Sequence, residues 1–246
     1  MNRLSLKEYF EKIKELIFKI LPKNAVVLIL SHTGSRAYGW GSDILDIDVR
    51  GIFYVEGEYW DWVHIGKYGY DITMESLEHV KNGIYYKHFT PFTEYAKPFY
   101  IHPAFDYESY MKLCRAEHVK HDLPSIKNEI LRFKYIHRSA RAGLHCYRKL
   151  MVPIYFLETG KIEIDCAKLN KEVFHFKQFD LMLRSYKYHE KVDINWDEAL
   201  KDYDKLLSRL NKLLEKRDDK LSNDELNEFF NKTINKVKNV KYTQKD

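Results

Sequence analysis

Two short apolar runs with a glycine-rich turn between them constrain this chain more than anything else in it. Val26-Val27-Leu28-Ile29-Leu30 is uninterrupted and branched, the pattern of a buried strand. Ile47 to Tyr54 reads as a second strand. Between them stands Gly34-Ser35-Arg36-Ala37-Tyr38-Gly39-Trp40-Gly41-Ser42-Asp43-Ile44-Leu45-Asp46. Side chains alternate between the faces of a strand, so Asp46 and Asp48 are expected on one face with Ile47 turned into the core. Paired carboxylates repel and call for a compensating cation. Mg2+ suits them, a hard ion that takes one or two carboxylates together with phosphate oxygens. Two such ions clamp the attacking and leaving oxygens of an in-line displacement at phosphorus. Gly34 allows close backbone approach to a phosphate, with the Ser35 hydroxyl and the following amides as donors. A lone Asp-x-Asp reads equally well as a solvated turn. The Gly-Ser upstream, directly after a buried strand, favours a triphosphate and metal site.

The remaining chain is consistent with a folded enzyme-sized protein. Its 246 residues are 45% apolar and 15% aromatic, enough for one large domain or two small ones. A net charge of +5 permits an acidic partner such as RNA or a triphosphate without demanding one. Cys114, Cys146 and Cys166 are scattered without a Cys-x-x-Cys spacing, a reduced pattern rather than a disulfide frame or zinc site. No signal-peptide core or membrane-length apolar run is present, so a cytoplasmic protein without a membrane partner is expected.

Element signals divide the chain near residue 110. Ser5-x-x-Glu8 is a capping box for a helix carrying Tyr9, Ile13, Leu16, Ile17 and Ile20, which Pro22 ends. Tyr59 to Tyr70 offers one or two short strands, and Met74 to Tyr86 a helix with Leu77, Val80 and Ile84 on one face. That order predicts an α+β domain with a small mixed sheet over 1–110. Asp71 is placed where a strand ends and a helix begins, as a third carboxylate or simply an N-cap. Asp61 and Glu75 are its nearest substitutes.

Residues 111–246 read as a helical domain. Ile126, Ile130, Phe133, Ala140, Leu144 and Tyr147 predict one long amphipathic helix. Lys134, Arg138, Arg141, His145 and Arg148, spaced 4, 3, 4 and 3 apart, form a row on it. Such a row calls for an anion alongside, or else is a solvated face. Further helices are expected at about 166–188, 196–216 and 223–238, the last opened by the capping box Ser222-x-x-Glu225. Residues 232–246 hold five lysines and one acidic residue, a solubilising terminus.

Gly-Ser, a short helical turn and Asp-x-Asp opening a strand together resemble the DNA polymerase β-like nucleotidyltransferase superfamily. The fuller string GSRAYGWGSDILDIDVRGIFY looks like the predicted nucleotidyltransferases found with RNA ligases in phages and bacteria. Thr90-Pro91-Phe92-Thr93-Glu94, His145-Cys146-Tyr147-Arg148 and Leu157-Glu158-Thr159-Gly160-Lys161 agree in order, so the resemblance runs from about residue 25 to 165. Leu45 departs from it, standing where that branch carries a small polar residue.

The resemblance implies a nucleotidyltransferase palm with a mainly helical lobe after it. It implies transfer of a nucleoside monophosphate from a triphosphate to a hydroxyl, with release of pyrophosphate and two Mg2+ or Mn2+ ions. Asp46, Asp48 and Asp71 would bind the metals, with Asp71 also activating the acceptor. Gly34, Ser35 and Arg36 would hold phosphates of the nucleotide, and His145 and Arg148 would bind it from the opposite side of the cleft, meeting triphosphate or acceptor phosphates. An RNA 3′ end, tRNA-like, is the first acceptor implied. A protein or small-molecule hydroxyl is the alternative, as is an inactive module that binds nucleotide or RNA.

Other signals are weaker. No Gly-Lys-Ser/Thr follows the glycines, which excludes a Walker loop. His118 and His121 lie three apart, with no Glu or Cys completing a zinc set. Tyr38 and Trp40 offer base-stacking rings beside the turn, with Tyr38 the better core candidate.

Overall fold

The computed structural model describes residues 6–41, 47–57, 61–67 and 69–243. In chain order the first part comprises α1 (Leu6–Ile20), β1 (Val26–Thr33), α2 (Gly34–Ala37), β2 (Ile47–Tyr54), β3 (Trp62–Lys67), β4 (Tyr70–Ser76), α3 (Leu77–Tyr85), α4 (Thr90–Glu94) and β5 (Pro98–Ile101). Helices follow: α5 (Tyr107–Met111), α6 (Ala116–Tyr135), α7 (Ala140–Thr159), α8 (Cys166–Leu169), α9 (Lys177–Tyr188), α10 (Trp196–Glu215) and α11 (Asn223–Thr243). This is the expected α+β class, a mixed sheet followed by helices. No helix among the described residues is long and apolar enough to cross a membrane.

The sheet runs β3-β4-β2-β1-β5, with β2 and β4 parallel and the other pairs antiparallel. Alternation gives each strand one face to α1 and one to the helices that follow. Val27, Leu30, Ile47, Val49, Phe53, Ile72 and Met74 pack against Ile13 and Ile17 of α1. Leu28, Ile29 and Ile52 belong instead to the large core that extends through α3, α6, α7 and α10. The next pairs along that second face are polar: Ser31 with Arg50, Thr33 with Asp48, Asp48 with Asp71 and Arg50 with Thr73. An apolar floor thus gives way to a polar one at the end of the sheet where α2 begins.

Several boundaries differ from expectation, each for a visible reason. β1 continues past Leu30 to Thr33, because its last residues pair with β2 and Ser31 also pairs with Pro98 of β5. The edge strand β5 has no counterpart in the sequence reading, being four residues that open on a proline. α3 starts at Leu77 rather than Met74, capped by Ser76, whose Oγ accepts from the His79 amide at 3.0 Å. Asp71 is therefore the second residue of β4, and the N-cap reading of it is replaced by Ser76.

The long helix predicted across 126–148 is two helices, broken at 136–139, with Ser139 Oγ capping α7 through the Ala142 amide at 3.2 Å. The span expected at 166–188 is also broken. A π-helical turn over Asn170–Phe174 follows α8, and His175 takes a left-handed φ of 59°. Asn170 bridges this break: its Oδ1 accepts from the Phe176 amide and its Nδ2 donates to Asp180. The Ser222–Glu225 capping box is present, each backbone amide bonded by the other's side chain. The Ser5 side of the first capping box lies outside the described residues.

Candidate active site

The site is assembled where β1 hands over to α2. Gly34 sits at φ +71°, a left-handed conformation that a side chain would strain. A Cβ placed on it would lie 1.6 Å from Asp48 Oδ2 and 2.3 Å from its Cγ. Only glycine lets the Asp48 carboxylate rest against the backbone here. The turn then closes on itself: Ser35 O accepts from the amides of Trp40 and Gly41 at 3.1 and 2.8 Å, and Gly34 O accepts from Tyr38 at 3.1 Å. Gly41 is required as well, since its Cβ would fall 2.5 Å from Arg36 Cγ.

Asp48 and Asp71 are direct register partners on adjacent parallel strands. Paired positions put both side chains on the same face, with strands about 4.8 Å apart. Asp71 Oδ1 is buried without a hydrogen bond among the described residues; His64 Nδ1 stands 3.4 Å away but bonds to Thr73 Oγ1 at 3.2 Å. An orphaned carboxylate oxygen beside a second carboxylate is a donor set suited to Mg2+ or Mn2+. Asp46 falls outside the described residues.

Across the cleft lie residues of α4 and α7. Arg50, two positions after Asp48 and on the same face, approaches Glu94 at 3.5 Å. Burial pushes the Glu94 carboxyl up to about 7, helped by the neighbouring Glu75 charge and opposed by Arg50 and Arg148. Glu75 in turn accepts from the buried Tyr95 hydroxyl, and its Oε1 stands 3.7 Å from His79 Nε2. Arg148 lays its guanidinium over the Tyr38 ring at 4.4 Å, with its buried Nε free of hydrogen bonds among the described residues. Tyr38 also meets Thr33 Oγ1 at 3.3 Å, so Arg148, Tyr38 and the end of β1 form one wall.

Of the residues singled out from sequence, Gly34, Asp48 and Asp71 are brought together, and Arg148 faces them by way of Tyr38. His145 is turned instead against Trp40, ring centroids 5.5 Å apart. Burial first, then Arg148 and Arg141, lower its pKa to about 4, so it carries no charge at neutral pH. The basic row is interrupted: Lys134 stands in the last turn of α6 and Arg138 lies in the break, 3.8 Å from Asp197, while Arg141, His145 and Arg148 share α7. Trp40 is fully buried and Tyr38 nearly so, which makes both core residues rather than open stacking platforms.

Sequence reasoning missed the supports of the turn. Lys97 Nζ donates to Ala37 O at 2.6 Å and reaches Asp165 Oδ2 at 3.3 Å. Lys187 Nζ donates to Gly39 O at 3.3 Å, and the Cys166 amide to Tyr38 O at 3.0 Å. Cations on the carbonyls that end a short helix satisfy otherwise orphaned acceptors. Arg50 and Glu94 were also missed as site residues, although strand alternation from Asp48 reaches Arg50 directly.

No protein-family model matches the chain, and no curated protein matches its sequence. Among solved structures, one neighbour is the nucleotidyltransferase-like protein from Exiguobacterium sibiricum 255-15. It has a TM-score of 0.29 and 10% identity, over 84% of this chain and 75% of that one. Another is the spectinomycin adenyltransferase AAD(9) from Enterococcus faecialis, in a structure with ATP and spectinomycin, at TM-score 0.49 and 14% identity over 84% of this chain and 100% of that one.

Proposed function

We propose that this protein is a metal-dependent nucleotidyltransferase that moves a nucleoside monophosphate from a triphosphate to a hydroxyl. One observation carries the reading: Asp48, register partner of Asp71, rests its carboxylate on the Cα of a left-handed Gly34. A solvated turn has no need of that close approach, or of an orphaned Asp71 oxygen beside it.

In this reading Gly34, Ser35 and Arg36 hold the β- and γ-phosphates, with Arg148 opposite and His145 behind it as a neutral wall. Asp46, Asp48 and Asp71 would hold two Mg2+ or Mn2+ ions, which when bound neutralise charge on the phosphates and the attacking oxygen. Asp71 takes the acceptor's hydroxyl proton as the oxygen bonds to the α-phosphorus and the bond to pyrophosphate breaks. The protein supplies positioning and electrostatics rather than a covalent intermediate. The palm would occupy residues 1–110 and the helical domain 111–246.

The RNA 3′ end is the acceptor that the sequence resemblance implies. Glu75 and Glu94 favour a second reading, a small hydroxyl compound carrying positive charge, since both add acidic groups beside Arg50 and Arg148. The test is transfer of α-labelled nucleotide, with Mg2+ or Mn2+, to total RNA and to small cationic alcohols at two salt concentrations. Label from wild type and a loss of a hundredfold or more in Asp48→Asn are expected. RNA transfer that weakens steeply with salt points to phosphate contacts, and salt-insensitive transfer to the small acceptor. Equal labelling by wild type and Asp48→Asn would overturn the proposal.

A further inference from the structure

The turn between α3 and α4 meets α6 through His88, His121 and Asp122. These form the one group of three or more potential metal-ligating side chains among the described residues whose donor atoms lie mutually close, all within 4.8 Å of one another. Lys87, at φ +65°, turns the chain sharply after α3 and delivers His88 to the surface of α6. Asp122 Oδ1 stands 3.5 Å from His88 Nδ1 and 3.3 Å from His121 Nδ1. With metal–ligand bonds of ~2.0–2.1 Å, tetrahedral donors are separated by roughly 3.3–3.4 Å, so both contacts match the edges of such a site.

The carboxylate is also held by a neighbour. Asp122 Oδ2 accepts from the Phe89 amide at 3.1 Å, which leaves Oδ1 aimed at the two imidazoles. An outer hydrogen bond that orients a ligand is a regular feature of metal sites. The two rings meet edge to face with centroids 4.8 Å apart, and both side chains are exposed enough to rotate onto a common ion. The adjacent Lys87 ammonium is engaged by Glu117 at 3.0 Å, away from the carboxylate. His118, the other histidine on this stretch of α6, takes no part: it is buried and accepts from the Arg115 amide through Nδ1.

We infer that His88, His121 and Asp122 bind a divalent transition-metal ion, with zinc the best fit, and that this ion ties the α3–α4 turn to α6. Two imidazoles and one carboxylate suit a borderline ion and not Mg2+, and three protein ligands leave a fourth position for water. The site differs in chemistry from the carboxylates proposed to serve nucleotidyl transfer, and Asp122 lines a small pocket together with Arg148.

The experiment is competition for ZnCl2 against a chromophoric chelator, with the full chain in excess Mg2+ so that hard-ligand carboxylates are filled. Wild type should bind one zinc per chain. His88→Ala, His121→Ala and Asp122→Asn should each weaken it by at least the tenfold to hundredfold that loss of even an outer partner costs. The Asp122→Asn change keeps a side-chain oxygen to accept from the Phe89 amide, so the turn stays folded. As a second readout, Co2+ should give visible bands of tetrahedral intensity in wild type that His88→Ala/His121→Ala abolishes. Zinc binding of equal strength in all variants, or none in wild type, would overturn the inference.

Discussion

At the scale of residues, Gly34 and Asp48 constrain each other. A methyl group at position 34 would occupy the space of the Asp48 carboxylate and sit on a left-handed backbone. Gly34→Ala should therefore lose most transfer activity and about 1–3 kcal/mol of stability, read from labelled transfer and chemical denaturation. Glu94 gives a prediction of different sign. Its folded-state pKa of about 7 lies above the 4.5 of an ordinary Glu, so the folded protein holds an extra proton between those values. Stability from this group is present at low pH and is lost as pH rises through 7. Glu94→Gln, which never ionises, should gain on the order of 1–3 kcal/mol relative to wild type at pH 8 and little at pH 4. Denaturant midpoints at the two pH values check it.

At the scale of elements, α7 is the helix that joins the cleft to the rest of the helical core. Its Arg148 and His145 face the α2 turn, while on its buried side the Tyr147 hydroxyl donates to Asp202 of α10 at 2.8 Å. Removing that hydroxyl leaves a carboxylate in an apolar setting. Tyr147→Phe should cost about 1–3 kcal/mol in denaturant unfolding, and the pKa of Asp202, already raised by burial, should climb further. The break before α7 was illegible because the apolar period survives it: Phe133 and Ala140 are seven apart, two turns of helix, on either side of the gap. The signal available was Ser139, a good N-cap that the periodicity outweighed. β5 escaped notice for a related reason. Four residues carry too little pattern to announce an edge strand whose place is set by pairing with β1.

At the scale of the whole molecule, two histidines held neutral by burial add to the loss of stability in acid. His32 and His145 both fall to about 4, chiefly through burial, with Arg36 beside the first and Arg148 beside the second. The unfolded chain binds protons on them near pH 6.5 and the folded chain does not, so stability falls as pH drops from 6.5 to 4. Each histidine contributes on the order of 1–3 kcal/mol to that loss, and together they outweigh the opposite contribution of Glu94. His145→Gln should flatten the decline in unfolding midpoint by its share, while wild type and variant converge above pH 7.

Local chemistry was legible in the linear chain. The Gly-Ser turn, the strand over Ile47–Tyr54, the Ser222 capping box and the mixed α+β order all follow from short-range rules: alternation along a strand, capping at a helix end, a glycine where the backbone must turn. What sits opposite the turn was decided only in three dimensions. Asp71 became Asp48's register partner through parallel pairing of β2 with β4, neighbours in the sheet that β3 separates in the chain, which no local pattern specifies. Glu94, Lys97 and Lys187 reach the site from distant segments because the packing of α4, β5 and α9 carries them there. The basic row, conversely, depended on a helix that the fold interrupts. Sequence determined which residues could do chemistry, since periodicity and spacing act over a few residues. Tertiary structure decided which of them meet, because burial and strand pairing act between segments far apart in the chain.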